Sequence, residues 1–183
     1  MKGLSKESEL LFISQSLDLP DTGVAATREV TLPLNTLERQ IFVVTDIQCY
    51  VSGTPFTQST TIPNQDVDWS WSISTQDLDA GLAPGETGDI GNPRVLAAGG
   101  ARFSIGVTSG DVFQYQWGTN DSTTGTPSDY LGIIATPDFY IRGQFLNAAG
   151  LGNATIQTRV VGYMAVASAD VYAALVTQEV NSQ

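Results

Sequence analysis

The sequence contains no histidine and a single cysteine, Cys49. The lack of histidine excludes histidine-based catalytic triads, histidine metal sites and the usual general base near neutral pH. A single cysteine excludes intrachain disulfides and cysteine-rich zinc sites. Charged residues make up only 15% of the chain, against about 25% in an average soluble domain. We therefore expect no enzyme, and no catalytic residue, bound metal or cofactor.

Basic residues are scarce as well, with 8 against 19 acidic residues and a net charge of −11. They form no cluster of lysine or arginine, and the net charge repels phosphate at long range. Direct binding of nucleic acid is therefore not expected. No stretch approaches the roughly 18 apolar residues that a membrane-spanning helix needs.

The N-terminal segment differs in pattern from the rest of the chain. Leu10 and Leu17 fall at helical spacing within residues 5–17, and Pro20 ends the pattern. The segment predicts an N-terminal arm or short amphipathic helix, residues 1–26. Such an arm would dock on a neighbouring subunit, and contact with a membrane is the alternative.

From residue 27 onward the hydrophobic period changes to two. The most regular strand, residues 67–74, alternates apolar residues with serine or aspartate. A turn around Gly110 joins two alternating segments and predicts a hairpin. Residues 38–51 carry apolar residues on both faces, which indicates a long central strand. Gly, Pro, Ser and Thr turns separate the strands, and we find neither internal repeats nor alternation of strands with helices.

This pattern predicts an all-β fold, an antiparallel β-sandwich of the jelly-roll type with about eight strands, over residues 27–167. Residues 168–183 form a C-terminal tail, for which a short helix after a strand ending near Ala167 is slightly favoured over a final strand. The residues expected between the two sheets are Trp69, Trp71, Phe103, Ile105, Phe113, Tyr115 and Val160.

Two sets of residues could bind a ligand. The first is a group of loop acids whose oxygens could bind calcium, although they lack EF-hand spacing: Asp66, Asp68, Asp77, Asp79, Glu86 and Asp89. The second is an aromatic platform for sugars formed by Trp69, Trp71, Trp117 and Tyr115. Because Trp69 and Trp71 share a face with Val67 and Ile73, the core is the favoured interpretation for them.

Two segments give the chain its likeness to a known family. The first has the residue pattern of a long first strand that follows an arm: LERQIFVVTDIQCYV, residues 37–51. FYIRGQFLNAAGLGNATIQTRVVGYMA, residues 139–165, has that of a closing, hairpin-like pair. On these segments the chain resembles single jelly-roll capsid proteins of icosahedral viruses over residues 27–167. It departs from RNA-packaging coat proteins because Lys2 and Lys6 are the only basic residues of its arm.

The resemblance implies a structural virion protein, a capsid building block that self-assembles into an icosahedral shell. Its partners would be further copies of the chain and other virion proteins. The acidic balance is similar to that of capsid proteins over an internal membrane or of coats from saline water. Two alternatives stay open: a carbohydrate-binding β-sandwich module, and a virion decoration or receptor-binding protein with the same fold.

Overall fold

The structure is a computed structural model that describes residues 3–53, 66–78, 92, 94–105, 112–118, 130–146 and 152–181. Side chains are described throughout these ranges except at residues 53, 66, 103–105, 112–118 and 178–181. The described part of the chain forms ten strands, a 3-10 turn at Thr36–Glu38 and one helix. The strands are β1 (Leu4–Lys6), β2 (Leu11–Leu19), β3 (Ala26–Thr31), β4 (Gln40–Gly53), β5 (Asp66–Ser74), β6 (Val95–Ile105), β7 (Val112–Gly118), β8 (Gly132–Ile134), β9 (Asp138–Leu146) and β10 (Ala154–Ala167), and the helix is α1 (Ala169–Asn181).

The strands form two antiparallel five-stranded sheets. Sheet A has the order β2-β10-β4-β8, with β1 pairing beside β2 along the same edge of β10, and sheet B has the order β3-β9-β5-β6-β7. Four pairs are nested within one another along the chain: β2 with β10, β3 with β9, β4 with β8 and β5 with β6. This nesting is the path of a long hairpin rolled over on itself, which confirms the predicted jelly-roll sandwich.

The prediction of an N-terminal helix is wrong. Residues 11–19 form β2, which pairs with β10 from Leu19 opposite Ala154 to Leu11 opposite Gly162. The segment also alternates with period two from Ile13 onward, and pairing with a long strand decides between the two periods. Because Leu17 and Leu19 are buried, most of the expected arm is part of the sandwich.

Two details of the resemblance are also corrected. The strand expected to come first, β4, is the third strand of the roll, because β2 and β3 precede it. The expected closing pair is not a hairpin, since β9 lies in sheet B and β10 in sheet A. Residues 95–105 form one strand, β6, and this strand forms the expected hairpin with β7.

The main core lies between the sheets. Trp71 is fully buried, Trp69 is 5% exposed and Val160 is 1% exposed, as predicted. The four other predicted core side chains, at residues 103, 105, 113 and 115, lie outside the described side chains. Phe42, Phe139 and Phe145 join this core from both sheets. On the other face of β5, Ser72 and Ser74 are buried as well.

A β-bulge divides β4 into two parts. The register against β10 shifts between Val161 and Gly162, so Thr45 is an extra residue on β4. The bulge reverses which residues face the core: Val43 lies in the outer cluster, whereas Ile47 lies in the core between the sheets. Residues before and after Thr45 therefore follow opposite alternations along this strand.

The C-terminal helix confirms the favoured interpretation of the tail. Strand β10 ends at Ala167, and the Ser168 hydroxyl accepts a hydrogen bond from the Val171 amide at 3.5 Å. The amide of Ser168 also donates to the Gly3 carbonyl at 2.8 Å, which joins the two ends of the described chain. Helix α1 covers one end of the outer face of sheet A.

Candidate functional site

Of the six loop acids whose oxygens could bind calcium, the structure describes the side chains of two, Asp68 and Asp77. Asp68 binds the Arg102 guanidinium through two hydrogen bonds of 2.6 and 3.0 Å. Asp77 is exposed, and its charge acts on Arg142. The Asp66 side chain and residues 79, 86 and 89 lie outside what is described. Among the described residues, no three potential ligand side chains lie close enough to hold a metal ion.

The hypothesis of an aromatic platform for sugars is wrong for Trp69 and Trp71. Trp69 and Trp71 lie in the core between the sheets, where no sugar ring could reach their faces. The side chains of Tyr115 and Trp117 lie outside the described set. A surface for partners or ligands must therefore be sought elsewhere.

The outer face of sheet A has two parts of opposite character. At one end, a cluster of Ile41, Val43, Ala135, Ala165 and Ala167 is buried. We call this end the covered half, because Leu4 and the apolar side of α1 pack against it. The helix contributes Val171, Tyr172, Leu175 and Val176, all partly buried. Among the described residues, no helix is long and apolar enough to cross a membrane.

No described residue outside the sheet covers the other end of this face, which we call the open half. Its exposed side chains come from three adjacent strands: Phe12, Ser14 and Ser16 of β2, Gln157 and Arg159 of β10, and Gln48 and Tyr50 of β4. The register aligns them in rows across the sheet. One row is Ser16, Gln157 and Tyr50, and the next is Ser14, Arg159 and Gln48.

The open half contains a shallow groove with a volume of about 510 Å³. The two rows line it, together with Gln15, Cys49 and Thr158 from the same strands. Tyr50 and Phe12 are both 65% exposed, which is unusual for large aromatic side chains. The groove therefore combines aromatic surface, amides, hydroxyls and one cation.

Arg159 is the cation at the centre of the groove. Gln48 is held by a 2.9 Å hydrogen bond from its amide to the Asp46 carboxylate, and Thr155 donates to Asp18 at 2.9 Å. Arg159 forms no ion pair with any residue that the structure describes. An acidic group brought to the groove would therefore meet an available guanidinium.

Cys49 lies beneath the open half and points toward the core. It packs partly buried against the cluster between the sheets. Burial raises the pKa of its thiol from 9.0 to about 12, because the thiolate would lose its hydration. The residue therefore behaves as a small, partly buried hydrophobe and not as a nucleophile.

Sheet B also buries polar groups on its outer face. Arg142 is 5% exposed and Gln144 is 1% exposed, and the Gln144 amide donates to the Gly23 carbonyl at 2.8 Å. Burial lowers the pKa of Arg142, and the nearby charge of Asp77 opposes that shift. The pKa of Tyr140 is raised by desolvation first and then by neighbouring carboxylates, Glu29 foremost. This region is therefore a buried polar layer on the outer face of sheet B.

Sequence reasoning did not single out Tyr50, Gln157 or Arg159. The signal was present, because each alternates with an apolar residue and so faces away from the core. What the sequence could not show is that β2, β10 and β4 lie side by side and form one surface.

Comparison with known proteins yields matches among solved structures alone. No protein-family model and no curated protein matches the chain. VP1 of Merkel cell polyomavirus, in complex with GD1a oligosaccharide, aligns over 92% of this chain and 99% of its own at 10% identity and a TM-score of 0.44. Apo VP1 of chimpanzee polyomavirus aligns over 92% and 100% at 7% identity and a TM-score of 0.47.

A third solved structure, from Desmodium yellow mottle tymovirus, covers 88% of this chain and 90% of its own at 11% identity and a TM-score of 0.28. With TM-scores below 0.5, these likenesses support no functional argument. The jelly-roll assignment rests on the nested strand pairs of this chain.

Proposed function

We propose that the chain is a structural virion protein, a capsid building block that associates with further copies of itself into a closed icosahedral shell. The observation that supports this most is the complete jelly-roll pairing in a chain without histidine. Viral capsid domains, lectin domains and cupins share this fold, so the fold by itself leaves several functions open.

The two other functions considered for this fold, an enzyme and a sugar-binding module, have little support in this chain. An enzyme would need a general base or a metal centre, and in a chain without histidine the carboxylates would have to supply either one. A sugar-binding module built on Trp69 and Trp71 is contradicted by their burial. A structural role needs only a stable core and surfaces for neighbouring subunits.

The proposed partners are further copies of the chain, with other virion proteins as additional neighbours. A net charge of −11 favours enclosure of a genome without direct contact to it. Contact with a membrane through residues 1–26 has lost most of its basis, because β2 is part of sheet A. Leu10, Phe12 and Val24, 49%, 65% and 62% exposed, are the exposed large apolar side chains in the described part of this segment.

Electron microscopy and light scattering of the purified full chain test the proposal. Screening lengths fall from about 8 Å at physiological salt to about 3 Å at 1 M, so salt should weaken repulsion between acidic copies. We expect closed particles whose yield rises with salt or calcium. A chain that stays monomeric across the whole series, and binds a glycan on an array, would contradict the proposal and favour a carbohydrate-binding module.

A further inference from the structure

We propose that the open half of sheet A is a docking surface for a second copy of this chain, whose carboxylate pairs with Arg159. The inference rests on the proposed capsid function and specifies one of its subunit contacts. The surface consists of Phe12, Ser14, Ser16, Gln48, Tyr50, Gln157 and Arg159, as defined above.

The residue types of the open half are those that protein interfaces favour. Tyrosine, phenylalanine and arginine are enriched at interfaces, whereas lysine and glutamate are depleted. The open half contains one tyrosine, one phenylalanine and one arginine, and neither lysine nor glutamate. Phe12 and Tyr50 are each 65% exposed, so both have substantial apolar area to bury on a partner.

Charge indicates what the partner presents. The chain has 19 acidic and 8 basic residues, so carboxylates outnumber cations on a neighbouring copy. Arg159 lies in the middle of the open half without an acidic partner among the described residues. A carboxylate from a second copy would complete a charge-assisted pair there.

The same charge argues against a two-fold contact centred on this surface. Such a contact would bring Arg159 of both copies together, and like charges at close range are unfavourable. The second copy therefore presents a different, acidic surface. Repeated head-to-tail contacts of this kind close into rings or shells when the rotation permits.

The free edge of β2 suggests that a second copy binds to the open half of sheet A and does not add a strand to the sheet. Among the described strands, β2 pairs only with β10, so its other edge is unpaired. The Arg28 guanidinium, however, donates to the Ser16 carbonyl at 2.7 Å and so occupies part of that edge. An added strand would have to displace this bond, whereas a copy on the face would not.

A charge reversal with a matched control tests the proposal. Arg159→Glu and Arg39→Glu change the net charge equally, and both arginines are exposed, but Arg39 lies on the turn before β4. We expect Arg159→Glu to raise the concentration needed for assembly at least about tenfold, since pairing charges across an interface contribute on that scale. Arg39→Glu should shift it less than about twofold. Circular dichroism and thermal melting confirm that both variants fold.

Hydroxyl-radical footprinting of the unmodified full chain provides a test without substitution. Phe12 and Tyr50 should react readily in the unassembled protein and be protected in particles. The proposal is overturned if the two charge reversals affect assembly equally, or if Tyr50 remains as reactive in particles as in the monomer. It is also overturned if a glycan protects Tyr50 while assembly is unaffected. A wild-type chain that never self-associates would instead contradict the capsid function itself.

Discussion

The covered and open halves of sheet A share strands β4 and β10 and differ in what these strands present outward. Along β10, Ala165 is fully buried beneath α1, whereas Gln157, eight residues earlier on the same face, is exposed. Along β4, Val43 and Tyr50 show the same contrast. One sheet face therefore serves as a second core at one end and as a free surface at the other, with the Thr45 bulge between them.

A charge buried in the covered half should cause the largest loss of stability, and the same charge in the open half should cause almost none. Ala165→Asp would place a carboxylate in the covered half without a partner, where a charge cannot keep its hydration. We expect a loss of about 4–5 kcal/mol in the free energy of unfolding, or no folded protein. Gln157→Asp, the matched change in the open half, should cost less than about 0.5 kcal/mol. Urea denaturation measures both, and similar losses would show that the covered half is not a core.

Trp71→Ala tests the core that lies beneath both halves. Trp71 is fully buried on β5 and packs in the cluster between the sheets. Its truncation should cost about 3–5 kcal/mol, because it removes a large apolar side chain and leaves a cavity. Thermal melting checks the loss, and both halves should be destabilised together. A loss near zero would contradict the burial of Trp71 and support the alternative of an exposed aromatic platform for sugars.

The boundary between the halves depends on Gly162, opposite the bulge. A Cβ at this position would clash with the Val43 carbonyl and lie 2.7 Å from Phe42 Cζ. The carbonyl is backbone and cannot move aside, so we expect Gly162→Ala to cost about 2–3 kcal/mol.

Gly132→Ala on β8 is the control for that change. Its Cβ would approach only the Leu96 side chain, with Cδ2 at 2.5 Å, and this flexible end can rotate away. Chemical denaturation should therefore show a smaller loss for Gly132→Ala than for Gly162→Ala. Equal losses would mean that the bulge yields to accommodate the new methyl group.

The sequence predicted the fold well where the hydrophobic period was clean. The alternation of Val67, Trp69, Trp71 and Ile73 placed β5 and its buried face correctly. It failed at β2, where the helical spacing of Leu10 and Leu17 competes with the period-two alternation from Ile13 onward, because only pairing with β10 decides between the two. It also missed the bulge, since one extra residue leaves no mark in composition.

The candidate surface could be predicted only in part. Gln48, Tyr50 and Arg159 each face away from the core by simple alternation, which the sequence contains. Their proximity depends on the pairing of β4 and β10, more than 100 residues apart in the chain, and on β2 at the far end. The acidic loops that composition emphasised lie largely outside the described residues.

The smallest expected effect concerns two neighbours on β4, Cys49 and Tyr50, which point to opposite faces of sheet A. Tyr50 faces solvent, whereas Cys49 faces the core with a thiol pKa raised to about 12 by burial. At pH 8 the thiolate is therefore about a thousandfold rarer than for a thiol with a pKa of 9.0. We expect a thiol reagent to label native Cys49 far more slowly than the urea-unfolded chain, and labelling at equal rates would contradict its burial.

The same shift predicts a pH dependence confined to alkaline solution. The unfolded thiol ionises near pH 9.0 and the folded thiol near 12, so the unfolded chain loses its proton first as pH rises. Ionisation then favours unfolding, and stability falls between these two values, while neutral pH has no effect. Cys49→Ala should remove this part of the alkaline loss, and Tyr50→Phe should leave the thiol contribution intact. Urea titrations of both variants from pH 7 to about 11 compare the slopes, and an unchanged slope in Cys49→Ala would assign the alkaline loss to other groups.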